Sequence, residues 1–251
     1  MVKIILHGCN GRMGRIVSEL AKEDEGISIV SGVDIAGGQP SEYPVYKDIM
    51  DCDTEADAVV DFGNAAAVGK VIDFCLDKGI PLIECTTGLS PEDEEKLSKA
   101  SEKIAVLKSA NMSLGINVLQ KALKQISRVL YESGFDIEIV EKHHRMKLDA
   151  PSGTAIALGD TIKEALDTEV DYVYDRSGRR EKRSNREIGF SAVRGGTITG
   201  DHDIIFAGQD EVITLSHRAY SRAIFGKGAI AAAKFIAGRD PGYYSMSDVI
   251  G

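Results

Sequence analysis

The chain opens with a strand, a glycine-rich turn and a helix, and this order restricts the fold more than any other feature. Residues 3–7 form a short apolar run, and residues 13–21 have helical spacing. The turn between them reads Gly8-Cys9-Asn10-Gly11-Arg12-Met13-Gly14. Glycines there permit a tight bend and let amide groups approach a pyrophosphate, whose charge the helix N-terminus favours. The opening therefore predicts a nucleotide-binding α/β unit, although a turn that serves only packing has the same residues.

Two later features support the nucleotide site. Asp34 ends the second predicted strand, 20 residues after Gly14, where an acid accepts hydrogen bonds from ribose hydroxyls. Cys85-Thr86-Thr87-Gly88 follows another predicted strand at the sheet edge where such folds bind ligands. Ile35 follows Asp34 and carries no charge for a 2′-phosphate, which favours NADH, while the nearby Arg12 leaves NADPH possible.

Strands and helices alternate through the first part of the chain, as in a parallel sheet covered on both faces. Further strands are predicted at 27–33, 56–62, 80–84 and 105–107, with helices at 66–77 and from Ser90-Pro91. The second part differs: a helix at 115–131 precedes strands near 135–139, 188–193, 204–206 and 212–216, with one helix after Gly153. A last helix at 223–237 is expected to pack on the first domain. The fold class is thus α/β, a Rossmann-like parallel-sheet domain plus a mixed α+β domain.

The segment 141–154 concentrates residues suited to catalysis, and it reads EKHHRMKLDAPSGT. His143 and His144 end an alternating strand, so they should point to opposite faces, with His143 on the apolar one. Histidine is the usual general acid or base near neutral pH. Lys147 adds a cation, and Ser152-Gly153-Thr154 begins a helix whose amides suit a carboxylate. The alternative is that either histidine has only a structural role, with its hydrogen bonds satisfied. The spacing of His, Cys and acidic residues in this segment does not indicate a metal site.

Charge and composition exclude several classes of protein. The net charge is −9, all of it within residues 1–113, and residues 114–251 balance 19 basic against 19 acidic side chains. This acidity argues against nucleic acid as a partner. The sequence has no apolar run long enough to span a bilayer, and its first residues do not lead us to expect a secretory signal. Four scattered cysteines favour buried thiols in a reducing compartment, so a cytoplasmic location is expected.

One basic run lies outside these motifs. It comprises Arg176, Arg179, Arg180, Lys182, Arg183 and Arg186. The run fits a solvated loop, or a local attraction for an anionic substrate or cofactor.

Three groups of residues together resemble one enzyme family. They are the turn 8–14 (G-x-x-G-R-M-G), the segment 141–155 (E-x-H-H-x-x-K-x-D-A-P-S-G-T-A), and Ile188-Gly189-Phe190 with Arg194-Gly195-Gly196. The chain is similar, nearly end to end, to the 4-hydroxy-tetrahydrodipicolinate reductase (dihydrodipicolinate reductase) family of lysine (diaminopimelate) biosynthesis. The resemblance implies an NAD(P)H-dependent reduction of a small cyclic dicarboxylate, with loss of water, by a homotetramer.

The resemblance also implies roles for residues and domains. A dinucleotide-binding domain would comprise residues 1–113 and 223–251, and a substrate-binding and oligomerisation domain residues 114–222. His143 and Lys147 would be the catalytic proton donors, and His144, Gly153 and Thr154 would bind substrate. The residues implied to bind cofactor are Gly8, Cys9, Asn10, Gly11, Arg12, Met13, Asp34, Cys85, Thr86, Thr87, Ser109, Ala110, Asn111 and Met112.

Two positions depart from the family pattern, and two other functions remain open. The family commonly has Gly where Cys85 stands and an aromatic residue where Met112 stands. A dehydrogenase acting on an amino acid such as aspartate or homoserine would explain the glycine turn but not the His-His-Lys segment. A non-catalytic redox sensor would bind the dinucleotide without turnover.

Overall fold

The computed structural model describes residues 1–37 and 42–251 and divides into two compact units. The first unit contains Met1–Leu114 and Arg222–Gly251, and the second contains Gly115–Ser221. Each unit has its own sheet and its own apolar core.

The first unit is built on a seven-stranded sheet in which every pairing is parallel. Its strands are β1 (Val2–His7), β2 (Ile27–Val33), β3 (Val45–Tyr46), β4 (Ala58–Asp61), β5 (Leu82–Glu84), β6 (Ala105–Lys108) and β12 (Gly242–Tyr244). They lie in the order β12-β6-β5-β4-β1-β2-β3. The chain therefore moves outward from β1 in both directions, so the carboxyl ends of β1 and β4 flank a switch point, where sheets of this type bind ligands.

Helices cover both faces of this sheet, and successive residues of the central strand point alternately to the two faces. Ile4 and Leu6 share a core with α1 (Arg12–Lys22) and α6 (Ala223–Ile236), while Ile5 belongs to the opposite core. That second core contains residues of α2 (Ala65–Lys78) and α3 (Pro91–Ala100). A short 3-10 turn (Ile49–Asp51) and a final helix, α7 (Met246–Ile250), complete the unit.

The second unit has a five-stranded mixed sheet in the order β11-β10-β7-β9-β8. Its elements are α4 (Leu114–Glu132), β7 (Asp136–His143), α5 (Gly153–Leu166), β8 (Asp171–Val173), β9 (Glu187–Arg194), β10 (Gly200–Ala207) and β11 (Val212–Ala219). Strand β10 is antiparallel to both neighbours, and β7 is parallel to β9. Ile137 and Ile139 face a core shared with α4 and α5. Val193 and Val212 lie on the other face and are exposed.

The predicted strands and helices all occur, with small shifts at their ends. The sequence did not predict β3, β8, β12 or α7. These strands have two or three residues, which is too few to show a periodic pattern of apolar residues. They form because an existing sheet edge supplies their hydrogen-bond partners.

Candidate functional sites in the two units

The turn after β1 accepts only glycine at two positions. Gly8 has a φ of +74°, and a Cβ there would lie 2.5 Å from the carbonyl oxygen of Phe62. A Cβ on Gly14 would lie 2.3 Å from the oxygen of Gly8. Gly11 is the N-cap of α1 and offers no capping side chain. The backbone thus forms a close-fitting cradle at a helix N-terminus, which suits a pyrophosphate.

Asp34 holds this turn against the end of β2. Its carboxylate accepts hydrogen bonds from the amides of Asn10 and Ala36, both at 3.0 Å. The Asn10 side chain donates to the carbonyl oxygen of Gly37 at 2.9 Å. Cys9 instead turns into the core, where burial raises the pKa of its thiol to about 11. Cys9 would therefore meet a ligand only through its backbone.

Two cavities open at the carboxyl edge of the first sheet. One, of about 430 Å³, contacts Gly8, Gly11 and Asp34, and it also reaches Ile35, which is 89% exposed. The other is about 670 Å³. Its lining includes the predicted residues Arg12, Met13, Cys85, Thr86, Thr87, Ser109, Ala110, Asn111 and Met112. Both volumes are in the range of small-molecule sites. Cys9 and Asn10 lie outside both linings.

Hydrogen bonds fix the loop after β6 in the larger cavity. The Ser109 hydroxyl accepts from the amide of Met246 at 2.6 Å, and the Asn111 side chain accepts from the amide of Ser113 at 2.8 Å. Met112 is buried, and its backbone packs so closely on α6 that a Cβ on Gly228 would lie 1.7 Å from the Met112 oxygen.

The residues of the larger cavity that sequence reasoning missed include Phe62, Gly63, Arg222 and Phe225. Phe62 and Gly63 follow β4 as Cys85 follows β5, so the same edge argument would have found them. Arg222 and Phe225 come from the far end of the chain, and no local pattern marks them.

A pair of acids lies buried at the same sheet edge, and the sequence did not indicate it. Asp61 ends β4 and Glu84 ends β5, and the two are register partners with 0% and 1% exposure. Burial, followed by the charge of Asp61, raises the pKa of Glu84 to about 9.

The two adjacent histidines of the second unit differ in burial. Along β7 alternate residues are buried, and His143 is 7% exposed at the end of this series. His144 follows the strand and is half-buried. The His143 ring meets the ring of His202 edge to face, with centroids 5.2 Å apart. His202 is itself buried, which lowers its pKa to about 4.

Glu141 organises the surroundings of His143. Its carboxylate lies 2.6 Å from Nδ1 of His143 and accepts two hydrogen bonds from Arg194, both at 2.7 Å. It also accepts from the amide of Ser152 at 3.0 Å. Burial raises the pKa of Glu141, but the bonds from Arg194 and His143 outweigh it, and the pKa is lowered. Burial lowers the pKa of His143, and Glu141 opposes that shift.

Lys147 and the start of α5 form a cationic corner next to this network. Lys147 Nζ lies 2.8 Å from a carboxylate oxygen of Asp149. Burial raises the pKa of Asp149, but Lys147 and backbone amides including that of Gly153 lower it overall. Ser152 caps α5 by accepting from the amide of Ala155 at 3.1 Å, and its hydroxyl lies 2.9 Å from Nε2 of His202. Lys147 and the backbone amides at the start of α5 already stabilise the carboxylate of Asp149. The same groups are chemically suited to bind a carboxylate of a ligand.

The basic run is only partly a solvated loop, so that interpretation is wrong for two of its residues. Arg183 contacts Asp136 at 2.7 Å and Glu138 at 3.0 Å. Arg176 contacts Glu187 at 2.7 Å. These arginines neutralise acids on β7 and β9 and anchor the loop to the sheet.

Within residues 1–37 and 42–251, no three His, Cys, Asp or Glu side chains are grouped to hold a metal ion. No helix in the same ranges has the length and apolar character needed to cross a membrane.

Family models cover almost the whole chain. The model described as dihydrodipicolinate reductase, N-terminus, matches residues 2–112, and its C-terminus counterpart matches residues 115–250. The chain belongs to the dihydrodipicolinate reductase family. The resemblance seen in the sequence motifs is therefore confirmed.

Relatives in this family match over almost their full length. A 4-hydroxy-tetrahydrodipicolinate reductase of Caldanaerobacter subterraneus is 50% identical over 250 residues, which cover 100% of this chain and 98% of the relative. The enzyme of the same name from Clostridium novyi is 45% identical with the same coverage.

Solved structures confirm the predicted fold class. Dipicolinate-bound dihydrodipicolinate reductase from Paenisporosarcina sp. TG-14 superposes with a TM-score of 0.82 at 21% identity, covering 100% of both chains. A probable dehydrogenase from Thermotoga maritima gives 0.64 at 14% identity, covering 99% of this chain and 92% of that one. At these levels of sequence identity, the similarity shows the fold alone.

Proposed function

We propose that this chain is an NAD(P)H-dependent 4-hydroxy-tetrahydrodipicolinate reductase of lysine (diaminopimelate) biosynthesis. It reduces 4-hydroxy-tetrahydrodipicolinate to tetrahydrodipicolinate with loss of water. The observation that carries the proposal is the 50% identity, over 100% of the chain, to a relative with that name. The four cysteines are free thiols, which supports a cytoplasmic location.

The first unit suits a nicotinamide dinucleotide. Gly8 and Gly14 form a cradle that a Cβ would fill, and the uncapped start of α1 favours pyrophosphate charge. The ribose end would lie near Asp34, and the nicotinamide end near Thr86 and the other residues of the larger cavity. When bound, the reduced cofactor supplies the hydride. NADH is the preferred form because Ile35 brings no cation to a 2′-phosphate.

The second unit suits the dicarboxylate. The start of α5, with Gly153 and Thr154, and the side chain of His144 would hold the carboxylates. Lys147 adds positive charge beside them. The two carboxylates would also raise the pKa of His143, because an anion stabilises imidazolium.

His143 and Lys147 then act as proton donors. Hydride addition to an unsaturated ring carbon leaves electron density conjugated toward the ring nitrogen, and a positioned acid must protonate it. Proton transfer of this kind contributes roughly 10²–10⁴-fold to the rate. Glu141 keeps the His143 ring in one orientation throughout.

The decisive experiment follows cofactor oxidation with enzymatically generated 4-hydroxy-tetrahydrodipicolinate. We expect turnover with NADH, a lower kcat/KM with NADPH, and kcat reduced at least about 100-fold in His143→Ala and in Lys147→Ala. Lys163→Ala, a surface lysine on α5, is the matched control and should keep normal kcat.

Different failures have different meanings. Absence of oxidation with both cofactors contradicts the proposed reaction, and cofactor binding without turnover would favour a redox sensor. Near-normal kcat in both active-site variants would show that the acid lies elsewhere.

We further infer a homotetramer that assembles through the exposed face of the five-stranded sheet. Val193 and Val212 on that face are 45% and 62% exposed, which leaves apolar surface for another copy of the chain.

A further inference from the structure

The buried pair formed by Asp61 and Glu84 is not used by the chemistry described above. The two residues are neighbours across β4 and β5, where each strand ends and its cofactor loop begins. Because the two are register partners on adjacent parallel strands, their side chains lie on the same face of the sheet. Neither group has appreciable contact with solvent.

Each acid ties one loop to the sheet through one of its oxygens. Asp61 Oδ1 accepts from the amide of Gly63 at 2.7 Å and lies 2.6 Å from Nδ1 of His7. Glu84 Oε1 accepts from the amide of Thr86 at 2.7 Å. Gly63 and Thr86 both line the larger cavity. The pair thus connects the two loops that form one wall of that cavity.

The second oxygen of each acid indicates a proton between them. Asp61 Oδ2 and Glu84 Oε2 are buried and have no hydrogen-bond partner among residues 1–37 and 42–251. Two ionised carboxylates in this position would repel one another in a low-dielectric environment. A single proton on one of them removes the repulsion and gives the other a donor, as in paired carboxylates elsewhere.

We propose that Glu84 stays protonated at neutral pH and donates to Asp61, and that this shared proton positions the loops 62–64 and 85–88 to receive the dinucleotide. Both acids are positioning residues, since neither needs to touch the cofactor. The role in cofactor binding rests on the proposed function, whereas the shared proton does not.

The surroundings favour the neutral form of Glu84. Burial raises the pKa of the Cys75 and Cys85 thiols well above the ordinary value, so both remain uncharged. Lys108, the register partner of Glu84 on β6, is paired with Glu94. The titratable groups around the pair are His7 on β1, Cys75 on α2, Cys85 after β5, Lys108 on β6, Glu94 on α3 and Tyr243 on β12.

The test measures NADH binding by fluorescence between pH 7 and pH 10, without substrate. In the unaltered protein the Kd should rise about tenfold per pH unit once Glu84 ionises, because binding then requires uptake of a proton. Glu84→Gln carries a permanent donor in place of the proton. It should match the unaltered protein within about twofold at pH 7 and lack the alkaline rise.

Two controls separate positioning from general damage. Glu84→Ala loses the acceptor for Thr86 and should bind NADH more weakly at every pH. Glu95→Gln, an exposed acid paired with Lys99, should keep the alkaline rise. The other titratable groups are unchanged in Glu84→Gln, so its difference from the unaltered protein reports Glu84 alone.

Infrared spectroscopy tests the proton itself. The carbonyl band of a neutral carboxylic acid should persist at pH 8 in the unaltered protein and vanish in Glu84→Gln. An equal alkaline rise in both proteins, or no such band, would overturn the proposal. Failure of the unaltered protein to bind NADH at all would contradict the proposed function, while the infrared result would still decide whether the proton is shared.

Discussion

Glu141 is the residue on which the environment of His143 most depends. Its hydrogen bond and charge raise the pKa of His143 against the larger, opposite effect of burial. Glu141→Gln removes that charge, so the His143 pKa should fall further. The imidazole resonances of His143, followed by NMR across pH 4–8, measure this shift. The part of the kcat/KM profile that needs protonated His143 should move to lower pH by the same amount.

Glu138→Gln is the matched control for this change. Glu138 lies on the same strand, but it faces away from His143 and is bound by Arg183 and Arg176. The pKa of His143 should be unchanged in that variant. An unchanged pKa in Glu141→Gln as well would show that Glu141 does not tune the histidine.

At the scale of elements, two helices begin with the same serine cap but differ in what lies around it. Ser90 caps α3 by accepting from the amide of Asp93, and Ser152 caps α5 by accepting from that of Ala155. Replacing either serine by Ala should lower the free energy of unfolding by about 1 kcal/mol. Only Ser152→Ala should also raise KM for the dicarboxylate, because only α5 is proposed to bind it.

Thermal unfolding and steady-state kinetics on the two variants check this prediction. Ser90→Ala serves as the control for stability without function. Equal KM values in both variants would remove the start of α5 from the substrate site.

At the scale of the whole molecule, the predicted tetramer is open to direct measurement. Sedimentation equilibrium should give four times the 27.0 kDa chain mass. Val212→Glu, which places a charge on the exposed sheet face, should reduce that mass. Val129→Glu on α4 is a matched control, since Val129 is 64% exposed against 62% for Val212. A monomer in the unaltered protein, or equal masses in both variants, would contradict assembly through this face.

The charge asymmetry also belongs to this scale. The first 113 residues hold the whole net charge of −9, yet the proposed pyrophosphate cradle is made of backbone amides. Amides bind an anion without added cations, so an acidic domain can still hold a dinucleotide. The neutral second part places Lys147 and Arg194 around the proposed dicarboxylate site, where local rather than net charge matters.

The sequence by itself determined the features that depend on neighbouring residues. Gly8 and Gly14 follow from the bend of one turn, the burial of His143 from alternation along one strand, and the caps of α3 and α5 from the first few residues of each helix. Backbone sterics and side-chain periodicity act over a few residues, so they can be seen in the chain.

Only the tertiary structure decided the contacts between distant residues. It brought Asp61 next to Glu84, His202 next to His143, and Arg222 into the larger cavity. It also formed the short strand β12 at the sheet edge. These arrangements depend on strand register and packing between segments far apart in the chain, and no local pattern carries that information.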